Sequence, residues 1–513
     1  MSGTDTGRGT IRRVVIAGGG TAGWIAAAAL ARNLGPLLEI VLVESEEIGT
    51  IGVGEATIPT AVTFHKLAGI DEQAFMRATG ATFKLGIAFE DWARPGDRYL
   101  HSFGRMGHTT WMGDFQHFWL EARAQGVALP IGAYSLETQA AEQGRFALGD
   151  GGVDGYAYHL DAGRYATFLR DLAEREGVER IAGTIGTVER DSGSGDIAAL
   201  LLADGRRIAG DLFIDCTGFR ALLIGAALGV GFEDWSRWLP TDSALAVQTR
   251  SVQPPLPYTR AVAHEAGWQW RIPLQHRVGN GIVFASAFMD ERAGRERLLG
   301  SIDGEPLGEP RLIRYRTGRR EAVWARNCVA LGLSSGFVEP LESTSIHLIM
   351  AGVTRLVQAF PFDGISEAAV RRYNDEARAE LEGIRDFVVL HYKATERGDT
   401  PFWRHCRDMP VPDTLAARIA LFREGAHAFQ RGEDLFRVDS WVQVLLGQRI
   451  EPEAWHRLAR LLRPGQLGRV LADRANTIAA AVARMPTHQQ FIDRYCAASD
   501  VSAAVTAPAP VRI

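Results

Sequence analysis

Gly18-Gly19-Gly20-Thr21-Ala22-Gly23 has the spacing of a loop that cradles a pyrophosphate. In such a loop Gly18 allows the tight turn and Gly20 lets backbone approach the phosphates. Gly23 lets a helix pack on the preceding strand. The helix N-terminus, opening at Thr21 and Ala22, then faces the anion. With 56 glycines in 513 residues the pattern alone is weak. Its context is stronger. A second apolar run, 39–43, leads into Glu44, 21 residues beyond Gly23. A carboxylate there can accept hydrogen bonds from ribose hydroxyls. Strand, glycine loop, helix and spaced carboxylate together predict a dinucleotide site.

Lysine is the other chemical signal. Of 56 basic residues only Lys66, Lys84 and Lys393 are lysine. A chain that otherwise uses arginine invites the question of what an amine does that a guanidinium cannot. An amine can lose its proton and act as a nucleophile, whereas a guanidinium stays protonated and delocalised. Codon bias with three leftover lysines is the bland alternative. Trp268-Gln269-Trp270-Arg271-Ile272-Pro273 sets two tryptophans two apart, the period of one strand face.

These residues need elements to hold them. Residues 14–31 (VVIAGGGTAGWIAAAALA) carry no charge and follow Arg12 and Arg13, as a signal peptide or short membrane span would. The β-branched run, the glycines and the alanine-rich stretch instead read as strand, turn and helix. No other uncharged run is long enough for a bilayer, which predicts a cytoplasmic protein without membrane attachment. At 46% hydrophobic and 23% charged, the composition is that of a globular enzyme and excludes disordered or collagen-like chains. A net charge of −5 offers no basic field for nucleic acid. Cys216, Cys328, Cys406 and Cys496 have no C-x-x-C spacing and read as buried thiols of a reducing compartment. The 13 histidines show no ligand spacing, so no metal is expected. Apolar residues recur at helical spacing over 366–396. Residues 1–10 are expected to fray, and the tail 497–513 to be disordered.

Two further strand-like runs follow. Residues 210–219 (GDLFIDCTGF) end in Asp-Cys-Thr-Gly, and 328–332 (CVALG) come after Arg319-Arg320. Nucleotide contacts spread along a chain in this way resemble the flavoprotein hydroxylase class, and that resemblance makes FAD the expected cofactor. The hydroxylases continue into Gly-Asp-Ala-Ala-His-x-x-x-Pro. Here the stretch reads Gly332-Leu333-Ser334-Ser335-Gly336-Phe337-Val338-Glu339-Pro340, keeping glycine and proline but not Asp and His. Leu341-Glu342-Ser343-Thr344-Ser345-Ile346 comes next. Together with 50–59 (TIGVGEATIP), 81–89 (ATFKLGIAF) and the W-x-W-x-I-P of 268–273, the chain resembles the flavin-dependent tryptophan-halogenase family over about residues 12–455. The expected fold is α/β. A Rossmann-like FAD-binding domain of the flavoprotein hydroxylase type spans 11–360 with insertions, and a mainly helical substrate region spans 361–496.

The resemblance also implies a chemistry. FADH2 and O2 give a C4a-hydroperoxide, halide attacks its distal oxygen, and a lysine holds and aims the hypohalous acid. The family's motif places Lys84 in that role. Glu342 matches the carboxylate that stabilises the cationic arene and accepts its proton. Ser343 bridges backbone and intermediate. Glu339, nearby, is expected to be a surface or loop-closing carboxylate. Halide needs donors without a general base, and the backbone N–H groups at Thr344 and Ser345 fit. The family more often has glycine at the position of Ser345, which leaves the amide unaltered. Trp268, Trp270, Ile272 and Pro273 match a wall between flavin and substrate, besides being strand core. Gly332 extends the cofactor-binding set. His101 and Phe103 match the aromatic clamp, with Phe436 or Trp441 as its third wall.

Family members acting on free tryptophan grip its charged groups with a tyrosine pair and a glutamate in the C-terminal region. No tyrosine lies between Tyr392 and Tyr495 here. A zwitterion without partners is disfavoured in an apolar site. Indole, a substituted indole or another small electron-rich arene is therefore the expected substrate. One glycine fingerprint, assigned to FAD, leaves none for NADH and implies a separate flavin reductase as partner. An FAD-dependent aromatic monooxygenase is the rival reading, opposed by the altered hydroxylase motif and by W-x-W-x-I-P. A non-catalytic flavin-binding regulatory protein is a third, opposed by Lys84 and Glu342.

Overall fold

The computed structural model describes residues 9–45, 54–110, 113–432, 434–463 and 465–498. Residues 1–8 and 499–513, expected to be disordered, and 50–53 of the TIGVGEATIP stretch lie outside the described residues. Strand Arg13–Ala17 sits inside a six-stranded sheet. Its order is Trp324–Ala325, Cys328–Ala330, Leu212–Asp215, Arg13–Ala17, Glu39–Glu44, Glu179–Ala182. All pairs are parallel except Trp324–Ala325 with Cys328–Ala330. Parallel strands covered on both faces are apolar without alternation, which is why 14–16, 40–43 and 212–214 read as unbroken apolar runs. Helix Thr21–Leu34 leaves the first strand through the glycine loop and packs on Ala162–Arg175 and Ser345–Gln358. Its residues 23–31 are all buried. The stretch that mimics a membrane span is thus a strand and a core helix. Among the described residues no helix is long and apolar enough to cross a membrane.

A second sheet has seven strands. They run Arg311–Arg314, Ser243–Thr249, Val278–Phe284, Gly267–Pro273, Thr259–His264, Gly86–Glu90, Arg98–Ser102. Only Thr259–His264 and Gly86–Glu90 pair in parallel. Trp268 lies opposite Val283, and Trp270 opposite Gly281. A β-carbon on Gly281 would fall 2.0 Å from the Trp270 ring, so glycine at this position lets the indole come down onto the sheet.

A three-stranded sheet joins the two. Ala157–Asp161 is flanked by Gly54–Ala56 and Thr82–Lys84, both antiparallel to it. Lys84 ends its strand opposite Ala157, and after Leu85 the chain enters the seven-stranded sheet as Gly86–Glu90. This joint explains how a lysine comes to have no solvent exposure.

From Ser345 onward the described elements are helices, including Glu367–Lys393, Asp413–Gly425 and Val438–Gly447. Glu367–Lys393 corresponds to the apolar period expected over 366–396. Its residues 384–392 are all buried. The apolar ones, Ile384, Phe387, Val388, Val389, Leu390 and Tyr392, share one hydrophobic cluster with Trp268, Trp270, Phe436 and Trp441, so the C-terminal helices and the seven-stranded sheet have a common core. All four cysteines are buried and unpaired.

Candidate active site

A cavity of about 430 Å³ opens between the sheets. The glycine loop from Gly18 to Ala22 lines it together with Glu44. Trp268, Trp270 and Ile272 line it from the seven-stranded sheet, and Gly332, Ser343 and Ser345 from the loop before Ser345–Gln358. Pro273 ends the tryptophan strand. Gly18 has φ +107, and a β-carbon on Gly23 would meet the Gly18 carbonyl oxygen at 1.9 Å. Glu44 lies against Gly19 and pairs with Arg180 at 2.5 Å. The cradle that β-carbons would fill, the helix N-terminus and the strand-end carboxylate fit FAD, with Glu44 toward the ribose. Gly23→Ala is expected to destabilise the fold by about 1–3 kcal/mol through overpacking. It should also remove most of the rise in Tm that added FAD produces. Thermal melts with and without FAD measure both, and an unchanged FAD-dependent rise would refute this role for Gly23.

Lys84 sits on the far side of Ser343. Its Nζ donates to the Thr57 carbonyl oxygen at 3.1 Å and to Ser343 Oγ at 2.8 Å. Burial pushes the amine down to about 7, against the opposing pull of Glu342. A neutral amine has two N–H donors and one lone pair. With both donors committed, the lone pair remains for an electrophile. The Phe103 ring centre is 5.2 Å from Nζ. Ser343 itself has φ +58, a left-handed conformation rare for a side-chain-bearing residue. It joins the 3₁₀ turn Pro340–Glu342 to helix Ser345–Gln358. That strained corner, worth about 1–3 kcal/mol, brings one hydroxyl to both the cavity wall and the amine. Thr344, at the helix N-cap, is fully buried.

Glu342 is buried between two histidines. His101 Nδ1 lies 2.9 Å from Oε2, and His391 Nε2 lies 2.9 Å from Oε1. Burial alone would raise the carboxyl, but His101 and His391 outweigh it and hold the group at about 2. Glu342 is therefore ionised although it is buried.

The aromatic clamp residues also converge. His101 and Phe103 are two apart at the end of Arg98–Ser102. The His101 ring is 5.5 Å from Phe387, Phe387 stacks on Phe436 at 3.7 Å, and Trp441 stands edge-on to Phe387 at 4.9 Å. Phe436 and Trp441, the two alternatives for a third wall, thus both belong to one cluster centred on Phe387. Sequence reasoning missed Phe387 and His391. They lie one helical turn apart on the same face. The signal available was a histidine inside the apolar run 387–392 (FVVLHY). Glu55 was missed as well. It lines the cavity, and burial raises its carboxyl to about 7.

Of the two alternatives for Glu339, a surface or a loop-closing carboxylate, the structure excludes the first. The side chain is not at the surface but has no solvent exposure. Its carboxylate accepts from Trp268 Nε1 at 3.0 Å, from the Tyr392 hydroxyl at 2.6 Å and from Thr241. Three donors replace the water it has lost, and the group ties its loop to the tryptophan strand.

The tryptophan halogenase family model matches residues 13–464. A tryptophan 6-halogenase from Streptomyces toxytricini is 37% identical over 437 residues, spanning 79% of this chain and 83% of the relative. A solved flavin-dependent halogenase from Xanthomonas campestris is 56% identical, with a TM-score of 0.94 over 96% of this chain and 99% of that one. Another, from Brevundimonas sp. BAL3, is 46% identical, with a TM-score of 0.91 over 95% and 99%. Matched in sequence and in fold along nearly its whole length, the chain belongs to the tryptophan halogenase family of flavin-dependent enzymes.

Proposed function

We propose that this enzyme uses FADH2, O2 and halide to halogenate an indole-type arene that lacks a charged amino-acid group. The observation that carries this reading is the buried Lys84 amine, hydrogen-bonded to Ser343 at the cavity wall and 5.2 Å from Phe103 of the clamp. Bound at the glycine loop, reduced flavin with O2 and halide supplies hypohalous acid. The chain's own residues do the rest. Thr344 and Ser345 offer the free N–H groups of a helix start to halide. Trp268, Trp270, Ile272 and Pro273 keep the arene apart from the flavin. Lys84 either holds hypohalous acid by a hydrogen bond or takes its halogen as a haloamine, the O–halogen bond breaking and water leaving with one amine proton, and Ser343 orients the amine. Glu342 stabilises the cationic ring and accepts the proton lost from carbon. In this division of labour residues 11–360 hold cofactor and amine, and 361–496 complete the clamp through Phe436 and Trp441. A separate flavin reductase and a cytoplasmic location belong to the same reading, which the single glycine fingerprint supports.

The clamp's surroundings favour an uncharged substrate. Phe387, Phe436 and Trp441 are apolar, and the Arg418 guanidinium lies 4.4 Å over Trp441 while paired with Asp434 at 2.5 Å. That cation is committed and does not offer itself to a substrate carboxylate. With a flavin reductase, NADH, FAD and bromide, kcat/KM for indole should exceed that for tryptophan by about tenfold or more. Mass spectra of products from an arene panel, with and without halide, measure this and separate halogenation from hydroxylation. Preference for tryptophan overturns the substrate reading, and hydroxylated product overturns the reaction.

Lys84 also predicts a pH profile. Only the neutral amine has a lone pair, and the group is held down to about 7. Single-turnover halogenation should therefore be level above about pH 8 and decline as pH falls through 7. A rate still climbing toward the ordinary lysine value of about 10.4 would contradict the neutral-amine role.

A further inference from the structure

Glu342 is approached by histidines from two unrelated elements, strand Arg98–Ser102 and helix Glu367–Lys393. The two are not equivalent. His101 also borders Phe387 and Phe436 of the clamp, at 5.5 and 6.2 Å. His391 is anchored at Nδ1 and on its ring faces. Its Nδ1 lies 2.8 Å from the Phe387 carbonyl oxygen, and its ring packs on Phe89 at 4.6 Å and on Phe387 at 5.4 Å. A carbonyl only accepts, so Nδ1 carries a hydrogen. Nε2 is left facing the Glu342 carboxyl at 2.9 Å.

We propose that His391 is a positioning residue for halogenation, which holds Glu342 ionised and fixed beside Ser343 so that it can take the arene proton. This rests on the role given to Glu342 above. Of the other groups facing Glu342, only His101 shares this support, 3.1 and 2.9 Å from its two oxygens. Lys84, from Thr82–Lys84, is pushed down to about 7 by burial and loses its charge above that pH. Tyr99, from Arg98–Ser102, stays protonated, because burial and Glu342 raise its hydroxyl. Glu339, on the same loop, is turned to Trp268, Tyr392 and Thr241. His101 is shared with the clamp. His391 alone meets the carboxylate from a rigid backbone anchor.

The test uses the whole enzyme in single-turnover halogenation across acid pH. Wild type should lose rate with a logarithmic slope of about one below pH 7, from Lys84 alone. His391→Phe should be slower at pH 7.5 by about 10–100-fold. Its slope should approach two, because Glu342 then titrates in the same range. His391→Gln keeps a neutral donor and should recover part of the rate with a slope near one. FAD binding and Tm are measured on each variant. Should His391→Phe not fold, His391→Asn, too short to reach the carboxylate, carries the test with the same outcomes. A wild-type slope in His391→Phe, or equal slowing of Phe and Gln variants at unchanged slope, overturns the proposal and leaves His391 a packing residue. Glu342→Gln separates the two levels. If it is fast, the reading of Glu342 fails and this one with it. If it is slow while His391→Phe keeps a slope of one, only the role of His391 fails.

Discussion

Lys84→Met is expected to yield no halogenated product, while the variant should still bind FAD and still reoxidise reduced flavin with O2. Methionine keeps the bulk of a fully buried stem but has no amine. The Thr57 carbonyl and the Ser343 hydroxyl lose a donor, for which about 1–3 kcal/mol of stability is the expected scale. The fold tolerates that loss, because the glycine loop and the cavity wall at Trp268 are untouched. Lys84→Ala should fail in the same way. Lys84→Arg decides whether positive charge alone suffices. A guanidinium stays protonated and has no lone pair for an electrophile, so severe loss is expected there too. Stopped-flow absorbance of the flavin, paired with product mass spectra, separates formation of the oxidant from its use. Halogenation by Lys84→Ala at near wild-type rate would mean that free hypohalous acid is the agent and that the amine is not a carrier.

Glu342→Gln is expected to slow halogen transfer by about 10²–10³-fold, or about 3–4 kcal/mol, the scale of losing one charge-stabilising group. The substitution preserves shape, and an amide can still meet His101 and His391. It removes the negative charge proposed to face the cationic ring and to take its proton. Residual activity should exceed that of Lys84→Met, since Lys84, the proposed halogen carrier, survives. Single-turnover rates at pH 7.5 on both variants give the comparison. Equal, complete loss in both would indicate that Glu342 acts on Lys84 and not on the arene.

Much of this protein is written locally. The glycine spacing, the β-branched strand and the alanine helix announce the nucleotide fold, because each depends only on steric rules among neighbours. Lysine scarcity marks Lys84, and the period of two marks Trp268 and Trp270 as one strand face. Those signals survive in one dimension.

The tertiary structure decided the rest. Lys84 meets Ser343 across 259 residues, and His101 meets Glu342 across 241. Glu339 and Glu342 stand three apart in one short loop, and nothing local distinguishes them. One is claimed by Trp268 and Tyr392, the other by His101 and His391. Consecutive residues of one helix, His391 and Tyr392, thus reach different carboxylates, which only the packing of that helix against the loop determines. The lowered amine of Lys84 and the ionised state of Glu342 are likewise products of burial and of charges brought in from distant strands and helices. A sequence fixes which groups can ionise, but solvent exclusion and the neighbours that closure supplies determine which of them do.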